Sequence, residues 1–219
     1  PFTREFSRLS AVEFVRDLLV DKLNVKTLII GYDHQFGKNR EGDINFLRRV
    51  SDTYGFHVVE IEAKEINDVN VSSTKIRNAL LVGEIETATS YLGEEFELNG
   101  EVVEGKRIGN TIGYPTANLR VLDSTKLIPS NGVYCVNVHD GSEIYQGMLN
   151  IGTNPTIDDK EIRTIEVHLL DFHQDVYGEK LKVQFLTKIR NESQFSGLKE
   201  LKSQLKRDEE FTRNYFSKR

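Results

Sequence analysis

The hydrophobic rhythm of this chain changes near Phe96, and the change requires two different kinds of fold. Before that point helical and strand patterns alternate. Ser10-Ala-Val-Glu13 has the form of a capping box, and Val12, Val15, Leu18, Leu19 and Leu23 recur at helical spacing. Lys26 to Ile30 is a short apolar run closed by a glycine, as in a buried parallel strand. Ile44, Leu47 and Val50 mark a second helix, and His57 to Ile61 a second strand. Ser72-Ser73 can cap a helix that runs to about Leu81 and stops at Gly83. Glu84 to Tyr91 reads as one more short helix. Alternation of this kind predicts an α/β region built on a parallel sheet.

After Phe96 the pattern consists of short alternating segments: Glu97 to Val103, Gly132 to His139, Ile144 to Ile151, Thr164 to Leu170 and Leu181 to Lys188. Clusters of Gly, Asn, Asp and Pro separate them, which predicts an antiparallel barrel or sandwich. Leu198 to Phe216 is charged and amphipathic. With Leu198, Leu201, Leu205 and Phe211 inward, it predicts a helix that covers the barrel. The expected division is therefore residues 1–94 and residues 95–219.

Composition narrows the function. The chain has 219 residues, 29% charged and 38% hydrophobic, which is ordinary for a globular protein. A net charge of −5 argues against a dedicated nucleic-acid partner but leaves room for phosphate ligands at a local basic cluster. Cys135 is the only cysteine, so no disulfide within the chain and no cysteine-based zinc site can form. Its neighbours Val133-Tyr-Cys-Val-Asn-Val138 suggest a small buried hydrophobe. A reducing cytoplasm fits that usage, and no apolar run approaches the length of a membrane span.

One stretch carries chemistry: Gly109-Asn-Thr-Ile-Gly-Tyr-Pro-Thr-Ala-Asn118. Gly109 and Gly113 permit positive φ and close approach of a ligand. Pro115 fixes the direction in which Thr116 and Asn118 leave the turn. A hydroxyl and an amide oxygen are hard ligands suited to Mg²⁺ shared with nucleotide phosphates. No Gly-Lys-Ser/Thr closes the loop, so it is not a P-loop. From the residues alone it also reads as a turn between strands. Lys106 and Arg107 beside it are either phosphate partners or solvated turn residues. Glu166 lies among Ile165, Val167 and Leu169, so it shares one strand face with His168. It is either a general base or a solvated carboxylate. His168 either orients Glu166 or is a structural histidine.

The first half offers two more motifs. Gly31-Tyr-Asp-His-Gln-Phe-Gly37 follows a predicted strand, where ligand sites of open α/β sheets lie. Val71-Ser-Ser-Thr-Lys-Ile-Arg77 opens a helix, and Ser73, Thr74 and Arg77 could hold phosphate there or simply cap it.

The second half resembles the riboflavin kinases. The likeness rests on Gly113-Tyr-Pro-Thr-Ala-Asn118, Pro129-Ser-Asn-Gly-Val-Tyr134, Gly147-Met-Leu-Asn-Ile-Gly-Thr-Asn-Pro-Thr156, Glu166-Val-His-Leu-Leu-Asp-Phe172 and Tyr177-Gly-Glu179, in that order. It covers the chain from about Glu97 onward. The resemblance implies that ATP phosphorylates riboflavin to FMN. Thr116 and Asn118 would then hold Mg²⁺, and Glu166 would be the base. Gly109, Gly113, Tyr114 and Pro115 would lie at the ATP phosphates, with Tyr177, Arg190, Glu192 and Phe195 about the flavin. The first half resembles the adenylyltransferase module of bacterial bifunctional riboflavin kinase/FAD synthetases, an incomplete Rossmann-like nucleotidyltransferase domain here. That likeness implies triphosphate contacts from Ser73, Thr74 and Arg77 and flavin contacts from Asp33 and Phe36. His34 stands where the family often has phenylalanine, and the family's His-x-Gly-His motif occurs nowhere in this sequence. The chain is thus expected to begin midway through that module, with FAD formation expected only of the full-length protein. A flavin-binding barrel without turnover is the alternative.

Overall fold

Local signals in the first half produce the elements they announce. The computed structural model describes residues 2–62, 65–66, 69–105, 108–155, 161–174 and 176–219. These fall into two compact units, one ending at Asn70 and one running from Val71 to Arg219. In the first, Ser10 caps α1 (Ala11–Glu13): its hydroxyl accepts from the Glu13 N–H, and the Glu13 carboxylate accepts from the Ser10 N–H. The helix continues in wider turns over Phe14–Val20 and buries Val15 and Leu19. Strand β1 (Thr27–Gly31) pairs in parallel with β2 (His57–Ile61). Between them α2 (Ile44–Tyr54) starts at Asp43, whose carboxylate accepts from the Phe46 N–H at 2.7 Å, and stops at the left-handed Gly55. Val15, Leu19, Ile30, Ile44, Leu47 and Phe56 form the core. A two-stranded ribbon, β3 (Glu65–Ile66) and β4 (Val69–Asn70), follows.

The second unit opens with α3 (Ser73–Val82), capped by the Ser72 hydroxyl, and α4 (Ile85–Leu92). Then come β5 (Glu97–Val103), the short helix α5 (Ile108–Ile112), β6 (Ala117–Val121), β7 (Gly132–His139), β8 (Ile144–Pro155), β9 (Glu161–Leu169), β10 (Lys180–Arg190) and α6 (Leu198–Ser217). The six strands close into an antiparallel barrel in the order β10-β5-β6-β9-β8-β7. Inward residues such as Leu98, Tyr134, Val136, Leu149, Ile151, Val167, Val183 and Phe185 fill it completely. The barrel interior is therefore a packed core, and any ligand must bind outside it.

Two expectations change, and packing groups α3 and α4 with the barrel. The stretch read as a pliant turn holds α5, and β6 begins at Ala117, so Asn118 is a strand residue. Ala117, Leu119 and Val121 do alternate with Asn118 and Arg120, but strong turn residues just before them masked the pattern. On α6 the inward stripe is not Leu198 and Phe211, which are exposed, but Leu201 and Leu205 continued by buried Asp208 and Thr212. A buried carboxylate breaks an apolar pattern, and here Arg190 compensates it. Finally, α3 and α4 pack with the barrel. Ala79, Leu80, Ile85 and Ala88 join its core, the Ser130 N–H donates to the Leu80 carbonyl, and the Thr187 hydroxyl donates to Glu86. Division by packing thus falls at Asn70/Val71, ahead of the change in rhythm.

Candidate active site

The barrel is least tightly paired where its polar residues gather. Strands β6 and β9 share only the pairs Ala117↔Val167 and Asn118↔Glu166. On the other side of β9, Asn150 of β8 stands opposite Glu166. Residues opposite one another in a ladder share a face. Glu166 is therefore flanked by two carboxamides on the outer surface, while Ile165 and Val167 point into the core. Where the β6–β9 pairing stops, the Thr116 hydroxyl donates to Glu166 Oε2 at 3.3 Å. Thr116 and Asn118 thus form one cluster with Glu166, which lies 50 residues beyond Thr116 in sequence.

The loop leading into β6 is set by backbone packing. A Cβ on Gly105 would fall 1.9 Å from Asn118 Nδ2, so only glycine leaves room for that carboxamide. Gly113 adopts a φ of 87°, and the Tyr114 N–H closes back on the Gly109 carbonyl at 2.9 Å. The Tyr114 ring is buried and its hydroxyl donates to Glu209 of α6 at 3.1 Å. Burial, and then that carboxylate, push the phenol up to about 12, so it stays a donor. The expected phosphate partners Lys106 and Arg107 lie outside the described residues.

Two cavities meet at this cluster, and Thr116 lines both. One, of about 420 Å³, is walled by Val102, Pro115, Leu169, Phe172, Val176 and Tyr177. The other, of about 260 Å³, is walled by Tyr114, Met148, Asn150, Glu166, Arg190, Phe195, Leu201 and Leu205. Arg190 is held rigidly: its Nε and Nη2 donate to Asp208 at 2.8–3.0 Å, and its guanidinium lies 5.7 Å from the Phe195 ring centre. Glu192 accepts from Asn131 Nδ2 at 3.0 Å and from the Thr153 N–H at 3.3 Å, which anchors it at the rim.

The structure keeps Arg190, Glu192 and Phe195 together but puts Tyr177 in the other cavity. Sequence distance could not reveal this, because the chain crosses the barrel along β10 between them. Asn150, Asp208 and Glu209 were not assigned to the site by sequence reasoning, and His168 was read either as orienting Glu166 or as structural. Asn150 and His168 do stand inside motifs quoted above. Asp208 and Glu209 carry no signal, being two acids in a charged helix. In the first unit Phe36 packs as a core ring against Phe14 and Phe46, with ring centres 5.2 and 6.1 Å apart, while Asp33 is exposed. Ser73, Thr74 and Arg77 are exposed on α3, and α3 belongs to the second unit.

The riboflavin kinase family model matches residues 92–216, and the FAD synthetase model matches residues 1–75. The chain is 40% identical over 219 residues to the bifunctional riboflavin kinase/FMN adenylyltransferase of Buchnera aphidicola subsp. Schizaphis graminum, covering 99% of this chain and 70% of that protein. It is 42% identical over 217 residues to the enzyme of the same description from Escherichia coli K12, covering 98% of this chain and 68% of that protein. A crystal structure described as a macrolide-efflux protein from Streptococcus pneumoniae matches with a TM-score of 0.87 at 38% identity, over 97% of this chain and 68% of that one. Among the described residues no helix is long and apolar enough to cross a membrane.

Proposed function

Because the chain belongs to the family of bifunctional riboflavin kinases/FMN adenylyltransferases, we propose that its kinase chemistry takes place at Thr116, Asn118 and Glu166. The protein is a riboflavin kinase: ATP and riboflavin give FMN and ADP. The observation that carries the site assignment is the contact between the Thr116 hydroxyl and Glu166, at the lip that both cavities share. Phosphoryl transfer is mainly a matter of positioning and charge neutralisation, so two substrates held in separate cavities must meet at such a lip.

Riboflavin occupies the cavity of Met148, Arg190, Phe195, Leu201 and Leu205, which offers a largely apolar slot with Arg190 and Glu192 at its edge. The adenosine of ATP takes the cavity of Pro115, Phe172 and Tyr177. Tyr177 thereby becomes a nucleotide contact rather than a flavin contact. Glu166 accepts the proton of the terminal ribityl hydroxyl as its oxygen attacks the γ-phosphorus and ADP leaves. The Thr116 hydroxyl holds the carboxylate in place before substrates arrive. Thr116 and Asn118 would also hold Mg²⁺, which when bound supplies charge neutralisation on the phosphate oxygens. The donor set fits: neutral hard oxygens stand beside a single carboxylate, and no group of three His, Cys, Asp or Glu forms among the described residues. Such a set suits an ion that keeps water and phosphate ligands.

The kinase module begins near residue 95, with α3 and α4 as packing partners. For the family's adenylyl-transfer chemistry, Asp33 and Phe36 are the proposed flavin contacts and Ser73, Thr74 and Arg77 the proposed triphosphate contacts, and the cytoplasm is the proposed compartment. Incubation with riboflavin and Mg-ATP, followed by chromatography, tests the kinase reading and should yield FMN. Flavin binding with no FMN would instead mark a binding barrel.

A further inference from the structure

We propose that His168 is a positioning residue for phosphoryl transfer, acting through the backbone of Pro115 rather than on Glu166; this rests on the kinase reading above. The β6–β9 pairing ends at Ala117↔Val167. Continued one step, the antiparallel register would bring Thr116 opposite His168. The described pairing does not continue to that step. The His168 side chain takes over instead. Its Nδ1 lies 2.7 Å from the Pro115 carbonyl oxygen, and since a carbonyl only accepts, Nδ1 carries the proton. The ring is further fixed edge-on against Tyr114, with centres 5.3 Å apart. Tyr114 is itself tied to α6 through Glu209.

The consequence falls on one bond. Pro115 immediately precedes Thr116, so anchoring its carbonyl to β9 fixes where the Thr116 hydroxyl stands relative to Glu166, two residues from His168 on the same strand face. Without that tie, β6 and β9 are joined here by their two ladder pairs alone, the shortest ladder of the barrel among the described residues. Loss of the tie lets Thr116 drift from Glu166, and a displacement of about 1 Å at a reacting centre can cost about a hundredfold in rate.

The test compares His168→Leu and His168→Asn in the full chain. The asparagine amide nitrogen sits on Cγ, as Nδ1 does, and can donate to the same carbonyl. Leucine fills similar space without a donor. With the unaltered chain making FMN at its normal rate, H168L should lose about tenfold or more in kcat with the KM for riboflavin within about twofold. H168N should recover kcat to within about threefold of the parent, because one donor is restored. Equal loss in both variants would overturn the proposal, as would an H168L kcat within about twofold of the parent. A raised riboflavin KM with kcat intact would make His168 a cavity wall and overturn it equally. An unaltered chain that makes no FMN would instead sink the kinase reading itself.

Discussion

The two units of this protein solve the same problem of burying apolar surface in opposite ways. In the unit ending at Asn70, two parallel strands form the sheet, and Ile29, Val59 and Ile61 are 61%, 46% and 57% exposed. Its core is small, and its predicted ligand residues divide into a core ring, Phe36, and an exposed acid, Asp33. In the other unit a closed barrel leaves no strand edge, its interior is filled, and α3, α4 and α6 cover its outside. Closure of the sheet is what lets side chains on the outer surface be held rigidly enough for catalysis. The polar cluster sits at the barrel's shortest ladder among the described residues, where β6 and β9 share two pairs.

The largest expected effect tests whether the barrel carries the chemistry. Glu166→Gln should retain flavin and nucleotide binding but lose about 10²–10⁴-fold in kcat, the usual contribution of a general base. A kcat within about threefold of the parent would remove Glu166 from that role. Next come the proposed metal ligands. Thr116→Ala and Asn118→Ala should each raise the Mg²⁺ concentration needed for half-maximal rate by about tenfold or more, as expected when a metal site loses support. An unchanged Mg²⁺ titration with only a lower melting temperature would make that segment a structural turn.

A third experiment divides the chain. Residues 71–219 should fold and make FMN at close to the parental rate, because the proposed site lies wholly within that unit. Residues 95–219 should be less stable by several kcal/mol, since each buried Leu or Ile such as Leu80 and Ile85 contributes about 1.5–3 kcal/mol. Equal stability by denaturant titration would show that α3 and α4 merely touch the barrel. The comparison would break outright if the chain turned FMN and Mg-ATP into FAD catalytically. The smallest effect concerns the exposed sheet residues: Ile29→Thr with Val59→Thr should leave kinase kcat unchanged, because neither side chain lines either cavity of the proposed site.

Much of this was legible in the residues. The segments His57–Ile61, Glu97–Val103 and Gly132–His139 are strands with the ends that alternation indicated. The helix stop read at Gly83 is left-handed. Thr116, Asn118 and Glu166 were selected by residue chemistry and by resemblance, and they stand together. Cys135 is buried and held far above the ordinary thiol range, at about 11, by that burial. What was not legible depended on partners distant in sequence. Leu198 and Phe211 fit an apolar stripe as well as Leu201 and Leu205 do. Asp208 lies on the inward face because Arg190 pairs with its buried carboxylate, a partner that α6 itself does not contain.

Periodicity, capping residues and turn chemistry act over a few residues, so the sequence by itself determined the order and type of most elements and the chemical kinds of group available. Only the tertiary structure decided that β6 and β9 meet over two pairs, that Thr116 lies between two cavities and that Tyr177 and Phe195 line different ones. It also decided that His168 bridges to Pro115, fifty-three residues away. Closing a barrel sets these distances all at once, through ladder registers that no local stretch of chain contains.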